Sequence, residues 1–107
     1  MSHADFSSPR EAARAFTPKL AAFVDSSLYP QIWNDPALSL RERSLITVAA
    51  LIALNRPEQL RFHLGKAMEN GLAREELIEA ITHLAFYSGW PTAMNAIKVA
   101  QEVFAEK

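Results

Sequence analysis

Two histidines, His63 and His83, lie inside otherwise apolar helical segments of this chain. Imidazole is the side chain whose pKa most readily lies near neutrality, so either residue is a candidate general acid or base. His63 lies at the edge of an apolar stripe that contains Leu60 and Leu64. The alternative for His63 is a half-buried histidine that is hydrogen-bonded to a neighbouring carbonyl group, and the spacing leaves both interpretations open.

His83 has acidic and aromatic neighbours on its own predicted helix. Glu76, His83 and Tyr87 fall within about 40° of one another on a helical wheel. Glu79 lies four residues before His83, and a carboxylate beside an imidazole favours the imidazolium and orients the ring. The alternative is a surface Glu–His pair with little effect on stability, although a surface face seldom needs a tyrosine.

Arg41 and Arg43 open the helix that precedes both histidines. Arg41 projects toward the apolar side that contains Leu45, whereas Arg43 projects the opposite way. One of the two should therefore face the interior or an interface, where a guanidinium needs an anionic partner. The candidate partners within the chain are Glu58, Glu76 and Glu79. The alternative partner is a substrate carboxylate held by two parallel hydrogen bonds.

The composition excludes several classes of protein. Half of the 107 residues are hydrophobic and the net charge is −1, so neither a nucleic acid nor an anionic membrane is an expected partner. Cysteine is absent, which excludes disulfides and thiol redox chemistry. Three histidines without zinc-site spacing give no expectation of a metal. No apolar run approaches the roughly 20 residues that span a bilayer, and the polar N-terminus predicts a cytoplasmic location.

Helix-start and helix-stop residues predict an all-α fold, a compact bundle of about six helices. The bundle is expected to form one domain over residues 1–107, of which residues 1–8 are a loose lead-in. An ordered connector, marked by Pro30 and Pro36, should pack Trp33 against the domain. The predicted helices run from Pro9 to about Phe16, over residues 18–26, from Leu40 to about Leu54, from an Asn55-x-x-Glu58 capping box to Asn70-Gly71, from about Arg74 to Ser88, and from Trp90 to about Glu106.

The helix over residues 40–54 is apolar nearly all round, so it must be buried nearly all round. Six short elements can hardly surround it, and another chain should complete the burial. Phe62 and Phe86 support this, because each lies opposite the main apolar stripe of its own helix. We therefore predict a homo-oligomer with these helices at the interface. Trp33 and Trp90 are predicted to lie in the core or in a pocket wall.

The sequence resembles the carboxymuconolactone decarboxylase family, an all-helical group that includes alkylhydroperoxidase D-like proteins. The resemblance covers roughly residues 33–104, and three stretches carry it: WNDPALSLRERSLITVAALIAL, HLGKAMENG and EELIEAITHLAFYSGWPTAMNA. The peroxidase branch of the family has a C-x-x-C motif four residues before the position of His63. Arg56 and Gln59 stand there in this chain, so the peroxidase activity is excluded.

The resemblance implies a cofactor-free decarboxylase that forms a trimer or hexamer and acts on an unsaturated carboxylated lactone in aromatic-acid breakdown. It implies catalytic roles for His63, His83 and Glu79, and substrate binding by Arg41, Arg43 and Tyr87. We add Trp33, as a predicted wall residue, and Glu76, from the helical wheel, to the expected substrate-binding residues. Loss of carbon dioxide leaves electron density that a conjugated lactone carbonyl can accept, so the protein must stabilise an enolate and then protonate carbon. Two alternatives stay open: a non-catalytic helical oligomer that binds a small acid, and a cofactor-free isomerase or hydrolase.

Overall fold

The computed structural model describes residues 14–106, and every regular element in that range is helical. This confirms the predicted all-α class. The chain divides into two units, residues 1–40 and 41–107, and each is described by itself; a single domain over the whole chain stays a prediction. The predicted lead-in and most of the predicted helix from Pro9 lie outside the described residues.

In the first unit, helix α1 (Pro18–Phe23) continues directly into a π-helical segment, Val24–Trp33. The prediction of a helix ending near residue 26 and then a connector was wrong here, because Pro30 lies inside the helical segment. Proline cannot donate an α-helical hydrogen bond, and the wider π turn is one way to accommodate it. The amide of Asn34 bonds the carbonyl of Tyr29, five residues earlier, at 3.1 Å. Tyr29 and Trp33 stack with their ring centroids 6.4 Å apart.

The second unit contains four helices: α2 (Leu40–Ala53), α3 (Pro57–Glu69), α4 (Arg74–Ser88) and α5 (Trp90–Glu106). The predicted bounds of α2, α4 and α5 are confirmed to within a residue. The predicted capping box at the start of α3 was wrong, because Arg56 is the N-cap residue. Asn55 instead adopts a left-handed conformation with φ 58°, and its side-chain oxygen accepts a hydrogen bond from Asn95 on α5 at 3.0 Å.

The core of this unit is formed by one apolar stripe from each helix. Each stripe keeps the three-to-four residue spacing of an amphipathic helix. Its most deeply buried side chains are Val48 and Ile52 of α2, Leu60 and Leu64 of α3, Leu77 of α4 and Ala93 of α5. Ile46 and Leu54, which the sequence places on the other side of α2, are exposed in the single chain. Their burial by a second chain stays a prediction.

The turn between α3 and α4 places the residues on which the site depends. Asn70 and Gly71 end α3 as predicted, and Gly71 has a φ of 106° that favours glycine. The amide of Leu72 bonds the carbonyl of Ala67 at 3.0 Å, which closes the helix end. The Asn70 amide nitrogen also donates to the Oγ of Ser44 at 2.9 Å. Since Ser44 is buried on α2, this bond ties α2 to the turn.

Candidate active site

A cavity of about 410 Å³ lies between α2 and α4 and has His83 in its wall. We call it the His83 cavity. Helix α2 contributes apolar groups to the wall. Helix α4 contributes the polar groups Glu76, Glu79 and His83, which share one side of that helix with Ala80. Its described wall residues are Leu45, Ala49, Glu76, Glu79, Ala80, His83 and Leu84. The arrangement places an imidazole and two carboxylates beside an apolar surface, which suits proton transfer to a small organic molecule.

Glu76 is held at two points in the first turn of α4. Its Oε1 accepts a hydrogen bond from the backbone N–H of Ala73 at 2.8 Å, and its Oε2 pairs with Nη2 of Arg41. The Ala73 N–H and then the Arg41 guanidinium hold the pKa of Glu76 below its ordinary value. Glu76 is therefore a fixed carboxylate at one end of the cavity. The sequence left Glu58, Glu76 and Glu79 open as partners of an arginine, and the structure brings Arg41 to Glu76.

His83 is exposed and stacks on Tyr87, with ring centroids 5.1 Å apart and an interplanar angle of 30°. Tyr87 itself is exposed. The two residues are four apart on α4, so they follow one another on the same face. This places together three residues that the helical wheel grouped, Glu76, His83 and Tyr87. The stacked tyrosine limits the orientations of the imidazole ring.

His63 has a different environment. It is half-buried on α3 and meets the edge of the Phe62 ring, with centroids 5.1 Å apart and an interplanar angle of 88°. Burial, with a smaller contribution from the nearby Lys66 cation, lowers the pKa of His63 below the ordinary histidine value. His63 is not among the described residues that line the His83 cavity. His63 and His83, both expected to have catalytic roles, therefore do not line this cavity together.

Arg43 and Trp33 complete the set of predicted site residues. Arg43 is half-buried on α2, and its carbonyl accepts a hydrogen bond from Thr47 at 2.8 Å. It does not appear among the described wall residues of the His83 cavity. Trp33 belongs to the first unit, where it ends the π-helical segment. Substrate binding by these two residues stays a prediction.

A second and larger cavity, of about 730 Å³, lies against another side of α4 and faces α5. We call it the apolar cavity. Its wall is almost entirely hydrocarbon, and its largest side chains are Phe86, Trp90 and Phe104, joined by Ile78, Ile81 and Ile97. Phe86 is 86% exposed. The sequence predicted Trp90 in the core or in a pocket wall and Phe86 at an interface, but it did not predict that both line one cavity.

Within residues 14–106, no group of three or more His, Asp or Glu side chains is placed to hold a metal ion. None of the helices in the same range is long and apolar enough to cross a membrane.

Comparison with known proteins gives a family match and several relatives. The model of the carboxymuconolactone decarboxylase family matches residues 18–102. A 4-carboxymuconolactone decarboxylase of Acinetobacter baylyi is 38% identical over 84 residues, which cover 78% of this chain and 63% of that protein. A nitrosuccinic acid decarboxylase of Metarhizium robertsii is 30% identical over 90 residues, 84% of this chain and 63% of that protein.

A third relative is an uncharacterized 15.0 kDa protein of Paracoccus denitrificans. It is 31% identical over 118 aligned positions, which cover 94% of this chain and 87% of that protein. The chain thus spans less than two thirds of the length of the two decarboxylases that it matches.

Proposed function

This chain belongs to the carboxymuconolactone decarboxylase family, and from that premise we propose that it is a cofactor-free lyase that removes carbon dioxide from a small unsaturated carboxylic acid or lactone. The observation that carries the proposal is the His83 cavity, in which an imidazole and two carboxylates line an otherwise apolar wall. The names of two relatives support decarboxylation as the reaction class. The first relative also supports an aromatic-acid breakdown product as the substrate class.

In the proposed reaction the carboxylate of the substrate leaves as carbon dioxide, and the electron pair of the broken C–C bond moves into the conjugated carbonyl. His83, as the imidazolium, stabilises the resulting enolate oxygen and then gives its proton to carbon. Glu79, four residues before His83, lines the same wall, and we assign it as the second acid–base group of the site. Tyr87 fixes one face of the ring by stacking. Arg41 or Arg43 anchors a substrate carboxylate.

Exposure and position favour His83 over His63 as the acid. His83 lines a cavity that a substrate can enter, whereas His63 is half-buried and its lowered pKa favours the neutral imidazole at neutral pH. His63 would then act as a structural residue beside Phe62. The variants His83→Asn and His63→Asn test this assignment.

The test of the activity is a panel of unsaturated lactone acids and substituted succinic acids, assayed for carbon dioxide release by the purified protein. We expect at least one panel member to be decarboxylated. The Tyr87→Phe variant, which keeps the stacked ring, should retain most of that activity. Absence of carbon dioxide release across the panel, from protein with a helical circular dichroism spectrum, would contradict the proposal.

A second function is a non-catalytic oligomer that binds a small acid. The absence of His63 from the described wall of the His83 cavity favours it, because one of the two predicted acid–base groups then has no place at the site. Binding of panel members without turnover would identify this function.

We also propose that the chain forms a homo-oligomer, a trimer or hexamer, through the apolar cavity and the exposed side of α2. Phe86 and Trp90 are exposed at the rim of the cavity, and Ile46 and Leu54 are exposed on α2. Large exposed apolar side chains, when they cluster, are typical of a protein interface. A second copy of the chain would cover it and would complete the burial that the sequence of α2 demands.

A further inference from the structure

Arg41 is not among the described wall residues of the His83 cavity, but it adjoins the wall through its ion pair. On α2 it precedes Leu45 by one turn and Ala49 by two, and both of those residues line the cavity. Its guanidinium pairs with Glu76, which also belongs to the wall. His83 is seven residues beyond Glu76 on α4, a rise of about 10 Å along the helix axis.

The side chain of Arg41 is constrained along its length. Its Cδ lies 3.8 Å from the position that a Cβ on Gly71 would occupy, so the aliphatic stem runs past the turn that ends α3. Its head is held through one nitrogen, Nη2, by Glu76. Since a guanidinium has five N–H donors, this pairing through a single nitrogen leaves the other donors able to bind a second carboxylate.

Glu76 is itself anchored by the backbone. The Ala73 N–H holds Oε1 while Oε2 holds Arg41. The carboxylate thereby fixes the position of the guanidinium relative to the first turn of α4. An arginine that is already immobilised loses less conformational entropy when it binds a ligand, and that is the general advantage of a preorganised site.

We propose that Glu76 is a positioning residue that holds Arg41 as the carboxylate-binding group of the His83 cavity. Arg41, and not Arg43, then carries the anion-binding role, and Glu76 acts through Arg41 without touching the ligand. The inference rests on the proposed function only in taking this cavity as the site. It concerns binding and does not require that the bound acid is decarboxylated.

The ion pair contributes little to the stability of the fold. The side chains of Arg41 and Glu76 are 43% and 46% exposed, and solvent screens exposed pairs of this kind. The chain also offers a matched control. Arg61 and Glu102 pair at 2.8 Å with side chains 41% and 44% exposed, and neither is among the described wall residues of the His83 cavity.

The test uses succinate, a small dicarboxylate that does not decarboxylate under these conditions, and its uncharged diamide. Binding to the full chain is followed by amide shifts in two-dimensional NMR, with Kd taken from the titration. We expect succinate and not the diamide to shift the amides of residues 76–83. Arg41→Ala should weaken succinate binding by about ten-fold, which is the usual scale for loss of a charge-assisted hydrogen bond.

Glu76→Ala should weaken binding by about five-fold, as expected when one rotamer-rich side chain must be ordered on binding. The double variant should bind no more weakly than Arg41→Ala alone, because Glu76 acts only through Arg41. Glu102→Ala should leave Kd unchanged.

Tighter or unchanged binding by Glu76→Ala would overturn the positioning role, as would additive effects in the double variant. Failure of the wild-type chain to bind succinate at Arg41 would overturn the anchoring role. Failure of the proposed decarboxylation would appear separately, as intact binding without carbon dioxide release.

Discussion

Replacing Phe86 with serine should weaken self-association of the chain by a measurable amount. The Phe86 side chain is 86% exposed at the rim of the apolar cavity. A phenylalanine buries about 150–250 Å² at an interface, and burial contributes about 25 cal/mol per Å². Since 86% of Phe86 is exposed and can still be covered, its full burial is worth about 3–5 kcal/mol. Ordering of the interface offsets part of this energy. A residual loss of about 2 kcal/mol corresponds to a dissociation constant about thirty-fold higher.

The assay is analytical ultracentrifugation over a dilution series of the wild-type and Phe86→Ser proteins. Phe16→Ser is the matched control, because Phe16 is 89% exposed and is not among the described wall residues of the apolar cavity. We expect the control to associate like the wild type. A wild-type protein that is monomeric at all concentrations would refute the reasoning, and so would equal dissociation constants for the wild type and Phe86→Ser.

Two further predictions concern stability. Burial and the Lys66 cation lower the pKa of His63 in the folded state. The unfolded chain therefore binds a proton at His63 more readily than the folded chain does, and the free energy of unfolding should fall as pH drops below the ordinary histidine pKa of about 6.5. The Tm measured between pH 7.5 and 5 should show this fall, and the fall should be smaller in His63→Gln. Identical Tm profiles for the wild type and His63→Gln would contradict the assignment. Asn70→Ala should lower the free energy of unfolding by about 1–3 kcal/mol, because it removes the partner of the buried Ser44 hydroxyl. Urea titration measures this loss. The control is Asn95→Ala, which breaks an exposed amide pair and should lower the free energy of unfolding by less. A larger loss in Asn95→Ala than in Asn70→Ala would contradict the prediction.

The helix bounds that the sequence predicted well are those set by local signals. Helix α4 ends at Ser88 and is capped by Gly89, whose φ is 99°, and α5 begins at the next residue as predicted. Helix periodicity and a glycine stop are both local properties of the chain, so they can be recognised without a structure. The same local logic failed at Pro30. There it predicted a break, whereas the chain widens into a π-helical segment.

The features that the sequence could not predict depend on contacts between distant elements. Asn55 resembles an N-cap residue, yet its side chain pairs with Asn95, forty residues away. The helical wheel grouped Glu76 with His83, but it could not show that Leu45 of α2 closes the opposite wall. Nor could the sequence choose among three glutamates as the partner of an arginine. That choice depends on how α2 and α4 pack, and packing is not a local property.

The central claim is that His83 supplies the proton in a decarboxylation within the cavity between α2 and α4. The most direct test compares kcat/KM for carbon dioxide release by the wild type, His83→Asn and His63→Asn, using the best substrate of the panel. A positioned general acid contributes about 10²–10⁴-fold, so His83→Asn should lose at least about 100-fold, whereas His63→Asn should stay within about ten-fold of the wild type. Full activity in His83→Asn would contradict the claim.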